Sequence, residues 1–181
     1  LNPWLNAVIG GRGTGKSTVA RLVADRLGWL WVDADAYIEQ HAGRTIREIF
    51  DTAGEPDFRE REAAAIQELT AREHVVIAAG GGAILCAASR AAIKEAGMTV
   101  WLVASADAIE RRLALDPTTD DRRPRLTRDG GAEEIRRLLV EREPHYRSCA
   151  DLIVETDRRS PEEVAGLIVE AVSRFRPSTP T

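Results

Sequence analysis

Gly10-Gly11-Arg12-Gly13-Thr14-Gly15-Lys16-Ser17 is the stretch whose reading decides the fold. It spells G-x-x-x-x-G-K-[ST], the phosphate-binding loop, or P-loop. The apolar run Ala7-Val8-Ile9 precedes it, and the helical pattern Thr18-Val19-Ala20-Arg21-Leu22-Val23-Ala24 follows. Strand, glycine-rich loop and helix in that order are the context the motif requires. Glycines let the backbone curl so that its N–H groups point inward at phosphate oxygens. The helix N-terminus adds roughly half a positive charge behind them. Lys16 is long enough to reach β- and γ-phosphates, and the Ser17 hydroxyl suits Mg²⁺. A dinucleotide-binding G-x-G-x-x-G does not fit, because the pair Gly11 and Gly13 meets Lys16 where the third glycine is needed.

Working outward, Leu5 to Ile9 reads as a strand buried on both faces, and residues 15–27 as a helix closed by Gly28. Leu30-Trp31-Val32 is a second strand with Asp33-Ala34-Asp35 at its carboxyl end, followed by a helix over Ala36 to His41. Thr45 and Glu48 have capping-box spacing and open a short helix to Phe50. Asp51 to Gly54 is expected to turn, and Pro56 to Glu73 to form a longer helix. Val75 to Ala79 is a third strand, ending in Gly80-Gly81-Gly82. Helix Ser89–Ala96, strand Thr99–Val103 and helix Ala106–Leu115 follow. Residues 116–131 hold two prolines and many charges and read as a mobile lid. Ala132 to Arg142 is helical, with Pro144 expected to disturb or end the run. Leu152-Ile153-Val154 is a fifth strand, and Ser160-Pro161-Glu162-Glu163 starts a helix running to about Arg174. Residues 177–181 are expected to be a disordered tail. Strands alternating with helices predict a three-layer α/β/α fold on a five-stranded parallel sheet, with ligands at the carboxyl ends of the strands.

The 181 residues suit one domain, and 44% hydrophobic with 30% charged residues is ordinary for a soluble globular chain. A net charge of −4 does not favour nucleic acid or an acidic membrane as partner. Lys16 and Lys94 are the only lysines, which makes the one inside the glycine loop conspicuous. Cys86 and Cys149 lack metal spacing and read as reduced thiols of a cytoplasmic protein. No apolar run approaches the roughly 18 residues of a membrane span, and no secretory leader is expected before the first strand.

Asp33 and Asp35 stand two apart. In an extended backbone both would project to one side, one suited to Mg²⁺ and the other to a substrate hydroxyl; alternatively Asp35 caps the next helix. Three successive glycines at 80–82 are costly to order and imply a ligand or another backbone close by. From composition alone Arg59 reads as a solvated helix residue paired with Glu55 or Glu62. Of the lid arginines Arg122, Arg123, Arg125 and Arg128, one or two are expected to swing onto transferring phosphate. His41, His74 and His145 lack partners at metal spacing, and Trp4, Trp29, Trp31 and Trp101 read as packing.

With these pieces in place the chain resembles the shikimate kinases over nearly its whole length. The motifs that carry the likeness are Gly-x-Gly-x-Gly-Lys-Ser-Thr at 11–18, Asp33-x-Asp35 and Gly43-x-x-Ile46-x-x-Ile49-Phe50, then Gly54-Glu55-x-x-Phe58-Arg59-x-x-Glu62 and the triplet 80–82. Arg123-Pro124-x-Leu126 and Arg142-x-Pro144-x-Tyr146 complete the set. The resemblance implies strand order 2-3-1-4-5 in a single kinase domain, 1–176. It puts a substrate-binding region at about 34–62 and a lid at about 113–131. It implies ATP and Mg²⁺, and phosphorylation of the 3-hydroxyl of shikimate by a cytoplasmic monomer. Gly11, Gly13, Thr14, Gly15, Lys16, Ser17 and Thr18 would hold the nucleotide, and Ser17 and Asp33 the metal. Arg112, Arg159 and Pro161 would flank adenine. Asp35, Arg59, Gly80, Gly81, Gly82 and Arg142 would bind shikimate, with Phe50 and Phe58 as pocket walls. Lys16, Asp35 and Arg123 would be catalytic. A kinase for gluconate or a nucleoside monophosphate is the nearest alternative. A GTPase-type switch lacks its Asn-Lys-x-Asp segment, since the only asparagines are Asn2 and Asn6.

Overall fold

A computed structural model describes residues 5–115 and 132–174. Trp4, most of the expected lid with Arg122, Arg123, Arg125 and Arg128, and the expected tail lie outside the described residues.

Five strands form one parallel sheet: β1 Leu5–Ile9, β2 Leu30–Asp33, β3 Val75–Ala78, β4 Met98–Val103 and β5 Leu152–Glu155, in the order β2-β3-β1-β4-β5. The expected order is therefore the observed one. Ala7 aligns with Ile77 on one side and Thr99 on the other, which puts β1 at the centre.

Alternation along the strands divides the interior in two. Ala7, Ile9, Val75, Ile77 and Trp101 face one core; Val8, Val76, Ala78, Val100 and Leu102 face the other. The second core is closed by α1 (Lys16–Leu27) and the C-terminal helix, here α7 (Pro161–Arg174), through Val19, Val23, Val164 and Ile168. The first is closed by α2 (Ala34–Ala42), α3 (Ile46–Thr70), α4 (Ala87–Ala96) and α6 (Ala132–Cys149). Helix α5 (Ala106–Leu115) and α6 share a small satellite core of Ile109, Leu113, Ile135 and Leu139 beside the P-loop.

Three boundaries differ from expectation for local reasons. The break expected over 51–54 is present but falls at Gly54 alone, with residues 51–53 helical. Helix α3 runs from Ile46 to Thr70 and kinks where Gly54 leaves helical geometry at φ 80°, ψ 175°, two residues before Pro56. Pro144 does not end α6. It is exposed, and the carbonyl it would leave without a helical donor belongs to Val140, itself 72% exposed, so the lost bond falls on the solvent side of the helix. Helix α2 begins at Ala34 rather than Ala36, because the Asp33 carboxylate accepts from the Asp35 and Ala36 N–H groups at 3.0 and 3.2 Å and caps it. Elsewhere the caps behave as read: Thr45 and Glu48 form a reciprocal capping box on α3, and Ser160 and Glu163 exchange the same two bonds at the start of α7.

Candidate active site

The carboxyl ends of β1, β2 and β3 open into one cavity of about 400 Å³. Its floor is the P-loop. Gly10 sits at φ +150°, and a Cβ there would come within 2.7 Å of the Leu102 carbonyl oxygen, so only glycine brings this loop so close to β4. The Thr14 hydroxyl is turned inward and donates to the Gly11 carbonyl at 2.8 Å, bracing the loop. Lys16 Nζ donates to the same carbonyl, also at 2.8 Å, which folds the ammonium back over the cradle. No side chain caps the first turn of α1, whose Lys16, Ser17 and Thr18 line the cavity. Helix N–H groups left uncapped there, beside a lysine, fit phosphate oxygens.

Asp33 and Asp35 both line the cavity, but not through an extended strand end. Asp33 is the cap of α2 and Asp35 lies in its first turn, so the reading of Asp35 as the cap is corrected as well. While one Asp33 oxygen caps the helix, the other accepts from the Ser17 hydroxyl at 2.5 Å. Ser17 and Asp33 thus form one oxygen-rich corner. Among the described residues no group of three or more His, Cys, Asp or Glu is placed to hold a metal. A divalent ion at this corner would therefore complete its shell with phosphate and water oxygens, the habit of Mg²⁺ rather than of a caged metal.

Gly80, Gly81 and Arg142 form the opposite wall. Arg142 Nη1 donates to the Gly81 carbonyl at 3.3 Å, while its buried Nε has no hydrogen-bond partner among the described residues. A buried guanidinium N–H so placed fits an anionic oxygen. Gly82 does not line the cavity itself; it lies under the Arg59 guanidinium, which a Cβ at Gly82 would strike. Arg59 donates to Glu62 at 2.7 Å and to Glu55 at 2.8 Å, so both of the partners suggested by composition are present. Burial works against its charge, but the Glu62 and then the Glu55 carboxylates outweigh it and raise the Arg59 pKa. The pairing does not exclude the role the resemblance implies, because the same guanidinium stands over the glycine triplet. Phe58 is 1% exposed and packs on half-buried Phe50 at 4.9 Å between ring centroids, behind Arg59 rather than at the cavity surface.

At the other end Arg112 joins three segments. It donates to the Gly13 carbonyl at 3.3 Å, the Thr156 hydroxyl at 3.0 Å and the Thr156 carbonyl at 2.8 Å. This fixes its guanidinium between the P-loop and the loop after β5. Arg159, farther along that loop, and Pro161, which opens α7, lie outside the cavity, with Arg159 donating to the Glu155 carbonyl at 2.7 Å. Arg123 lies outside the described residues.

Sequence reasoning gave no role to several residues found here. Arg12 and Glu39 line the cavity, as do Leu138 and Leu139 of α6. Tyr146 was visible only as part of a motif; its hydroxyl donates to the Gly81 carbonyl at 2.8 Å. The spacing of Arg142 and Tyr146, one helical turn apart, was the available signal.

Comparison with known proteins agrees with this geometry. The family model for shikimate kinase matches residues 12–173. The chain belongs to the shikimate kinase family. It is 45% identical over 162 residues to the shikimate kinase of Rhodopirellula baltica, covering 90% of this chain and 87% of that one. It is 44% identical over 171 residues to the enzyme of Pseudomonas entomophila, covering 94% and 96%. Among solved structures, shikimate kinase from Acinetobacter baumannii in complex with shikimate aligns with a TM-score of 0.87 at 34% identity, over 97% of this chain and 96% of that one. Membership makes the chain a phosphotransferase, a shikimate kinase by activity, for which the family implies ATP as phosphate donor. Among the described residues no helix is long and apolar enough to cross a membrane.

Proposed function

We propose that this chain carries the ATP γ-phosphoryl to the 3-hydroxyl of shikimate by in-line transfer inside the single cavity at the strand ends. The supporting observation is that the uncapped start of α1 with Lys16, and the set Asp35, Gly80, Gly81 and Arg142, line the same space. Gly11, Gly13, Gly15 and Thr18 hold the phosphates from below, with Thr14 bracing the loop. Arg112 lies along adenine, and Arg159 and Pro161 close that end as the nucleotide settles. Arg142 and Arg59 take the shikimate carboxylate, Gly80 to Gly82 approach its ring, and Phe50 and Phe58 back that wall.

Asp35 orients the attacking hydroxyl and accepts its proton as the new P–O bond forms and the bond to ADP breaks. Lys16 neutralises charge on the γ-phosphoryl where water is excluded. Arg123, carried on the lid expected over 113–131, adds a second positive charge against the γ-phosphoryl on closure. Ser17 and Asp33 would hold Mg²⁺, whose chemistry here is neutralisation of β- and γ-phosphate charge. Residues 1–176 form one kinase domain, with acceptor recognition over about 34–62, working as a cytoplasmic monomer; gel filtration of the purified chain checks the last point.

The test is a coupled ADP-release assay with MgATP, with and without shikimate, and with gluconate and AMP as controls. Turnover is expected with shikimate alone. Turnover with gluconate or AMP, and none with shikimate, would keep the donor site and refute the acceptor site.

A further inference from the structure

Gly81 stands where three segments of the chain meet. A Cβ placed there would lie 3.3 Å from the Gly10 carbonyl oxygen, 3.5 Å from the Tyr146 hydroxyl and 3.7 Å from the Arg12 nitrogen. The phosphate loop, the glycine triplet and helix α6 are therefore in contact at one residue. The Gly81 carbonyl accepts from Tyr146 at 2.8 Å and, more weakly, from Arg142 at 3.3 Å. The Tyr146 ring cannot move freely. It is 1% exposed and stacks on Trp101, with 5.5 Å between centroids and 15° between planes. Trp101 is the register partner of Ile9, the residue immediately before the P-loop. A rigid path thus runs from β1 through β4 and the tyrosine ring to the carbonyl of Gly81.

We infer that the Tyr146 hydroxyl is a positioning group that sets the glycine triplet at a fixed distance from the phosphate loop, and so sets acceptor against donor. The inference rests on the functional reading above and extends it to a cavity-lining residue whose hydroxyl donates to the Gly81 carbonyl. A peptide plane is rigid, so holding the Gly81 carbonyl also fixes the direction of the Gly82 N–H on its far side. Arg142 lies one turn earlier on the same helix face, so the tyrosine also steadies the arginine. In-line transfer is sensitive to such placement: an error of about 1 Å can cost about 10²-fold in rate. Loosening the triplet should weaken acceptor use and let water compete for the phosphoryl group, while the nucleotide cradle, braced by Thr14, is left alone.

Tyr146→Phe keeps the ring and its stacking and removes only the hydroxyl. The shikimate KM and kcat, the ATP KM, and ADP released per shikimate phosphorylated are measured for wild type and variant. Shikimate kcat/KM is expected to fall about 10-fold, ATP KM to stay within about twofold, and the ADP-to-product ratio to rise above one. A purely structural role would lower the melting temperature and leave the ratio and the KM split unmoved, and that result overturns the inference. If Tyr146→Phe does not fold, Gly81→Ala probes the same junction, since Gly81 is not held at positive φ and the added methyl presses on Gly10 and Tyr146. The same split is expected there, and an unaltered ratio overturns the inference. Wild type without shikimate-dependent turnover would sink the functional reading and the positioning role with it. Normal wild type with a kinetically identical Tyr146→Phe sinks the positioning role alone.

Discussion

The two halves of the cavity differ in how much of the chain they draw on. The proposed donor half is nearly all contained in residues 10–18, whose shape follows largely from local backbone rules: Gly13 and Gly15 at positive φ, Thr14 braced to Gly11, and an uncapped helix start. The proposed acceptor half is gathered from the first turn of α2, the loop after β3 and the middle of α6, with Arg59 of the kinked α3 standing over Gly82 outside the cavity lining. No short stretch specifies it. It exists only because a parallel sheet brings those ends to one edge. A phosphate cradle can thus be shared by many kinases, whereas the acceptor wall must be built anew for each substrate. Arg59 illustrates the difference: its charge is held by Glu55 and Glu62 on its own helix, and its place over Gly82 comes from the fold.

This contrast makes graded predictions. The largest concerns the donor half. Lys16→Ala should lower kcat about 10²- to 10³-fold, as loss of a charge-stabilising group does. Its melting temperature should shift by no more than about 2 °C, because the half-buried lysine lies on the phosphate loop, with its ammonium on the Gly11 carbonyl, and outside the hydrophobic cores. A comparable loss of stability in thermal unfolding would mean that the lysine is structural. Next is the acceptor half: Gly82→Ala drives a methyl into the Arg59 guanidinium and should raise shikimate KM about 10-fold with ATP KM unchanged. Equal changes in both constants would show that the halves are not separable.

Asp33→Ala crosses the boundary, since Asp33 bonds Ser17 of the donor half and caps α2 of the acceptor half. It should cost about 1 kcal/mol in urea unfolding and raise the Mg²⁺ concentration needed for half-maximal activity. The smallest effect lies outside the cavity. Thr45→Ala removes the capping box of α3 and should cost about 1 kcal/mol in stability, with both KM values unchanged. The Thr45 N–H and hydroxyl hold the Glu48 pKa below its ordinary value. The box therefore stabilises above the unfolded glutamate pKa and loses its effect as pH falls through the lower folded value. The deficit of Thr45→Ala should shrink over that acid range, and a deficit that grew in acid would contradict the cap.

The same division explains what could be read in the sequence. Strand positions were legible because each is a short apolar run, and in the central strands β1, β3 and β4 two faces buried in two cores leave little choice of register. The donor site was legible because its chemistry is contiguous. What escaped depended on context. The cost of Pro144 inside a helix depends on where its orphaned carbonyl lies, and here Val140 is exposed. Asp33 and Asp35 read equally well as strand end or helix start until the Asp33 carboxylate is seen to accept two N–H groups. The place of Tyr146 against Gly81, 65 positions away, has no local signature at all. The acceptor residues were named through a family likeness carried by several short motifs in order, not through any one of them.

Arg59→Ala tests the central claim most directly, because that arginine was assigned to the acceptor against its bland local reading. Steady-state titration of shikimate at saturating MgATP, and of ATP at saturating shikimate, gives both constants for variant and wild type. The account predicts a rise of about 10-fold or more in shikimate KM with ATP KM within about twofold. An unchanged shikimate KM would contradict it and leave Arg59 as a helix-surface ion pair.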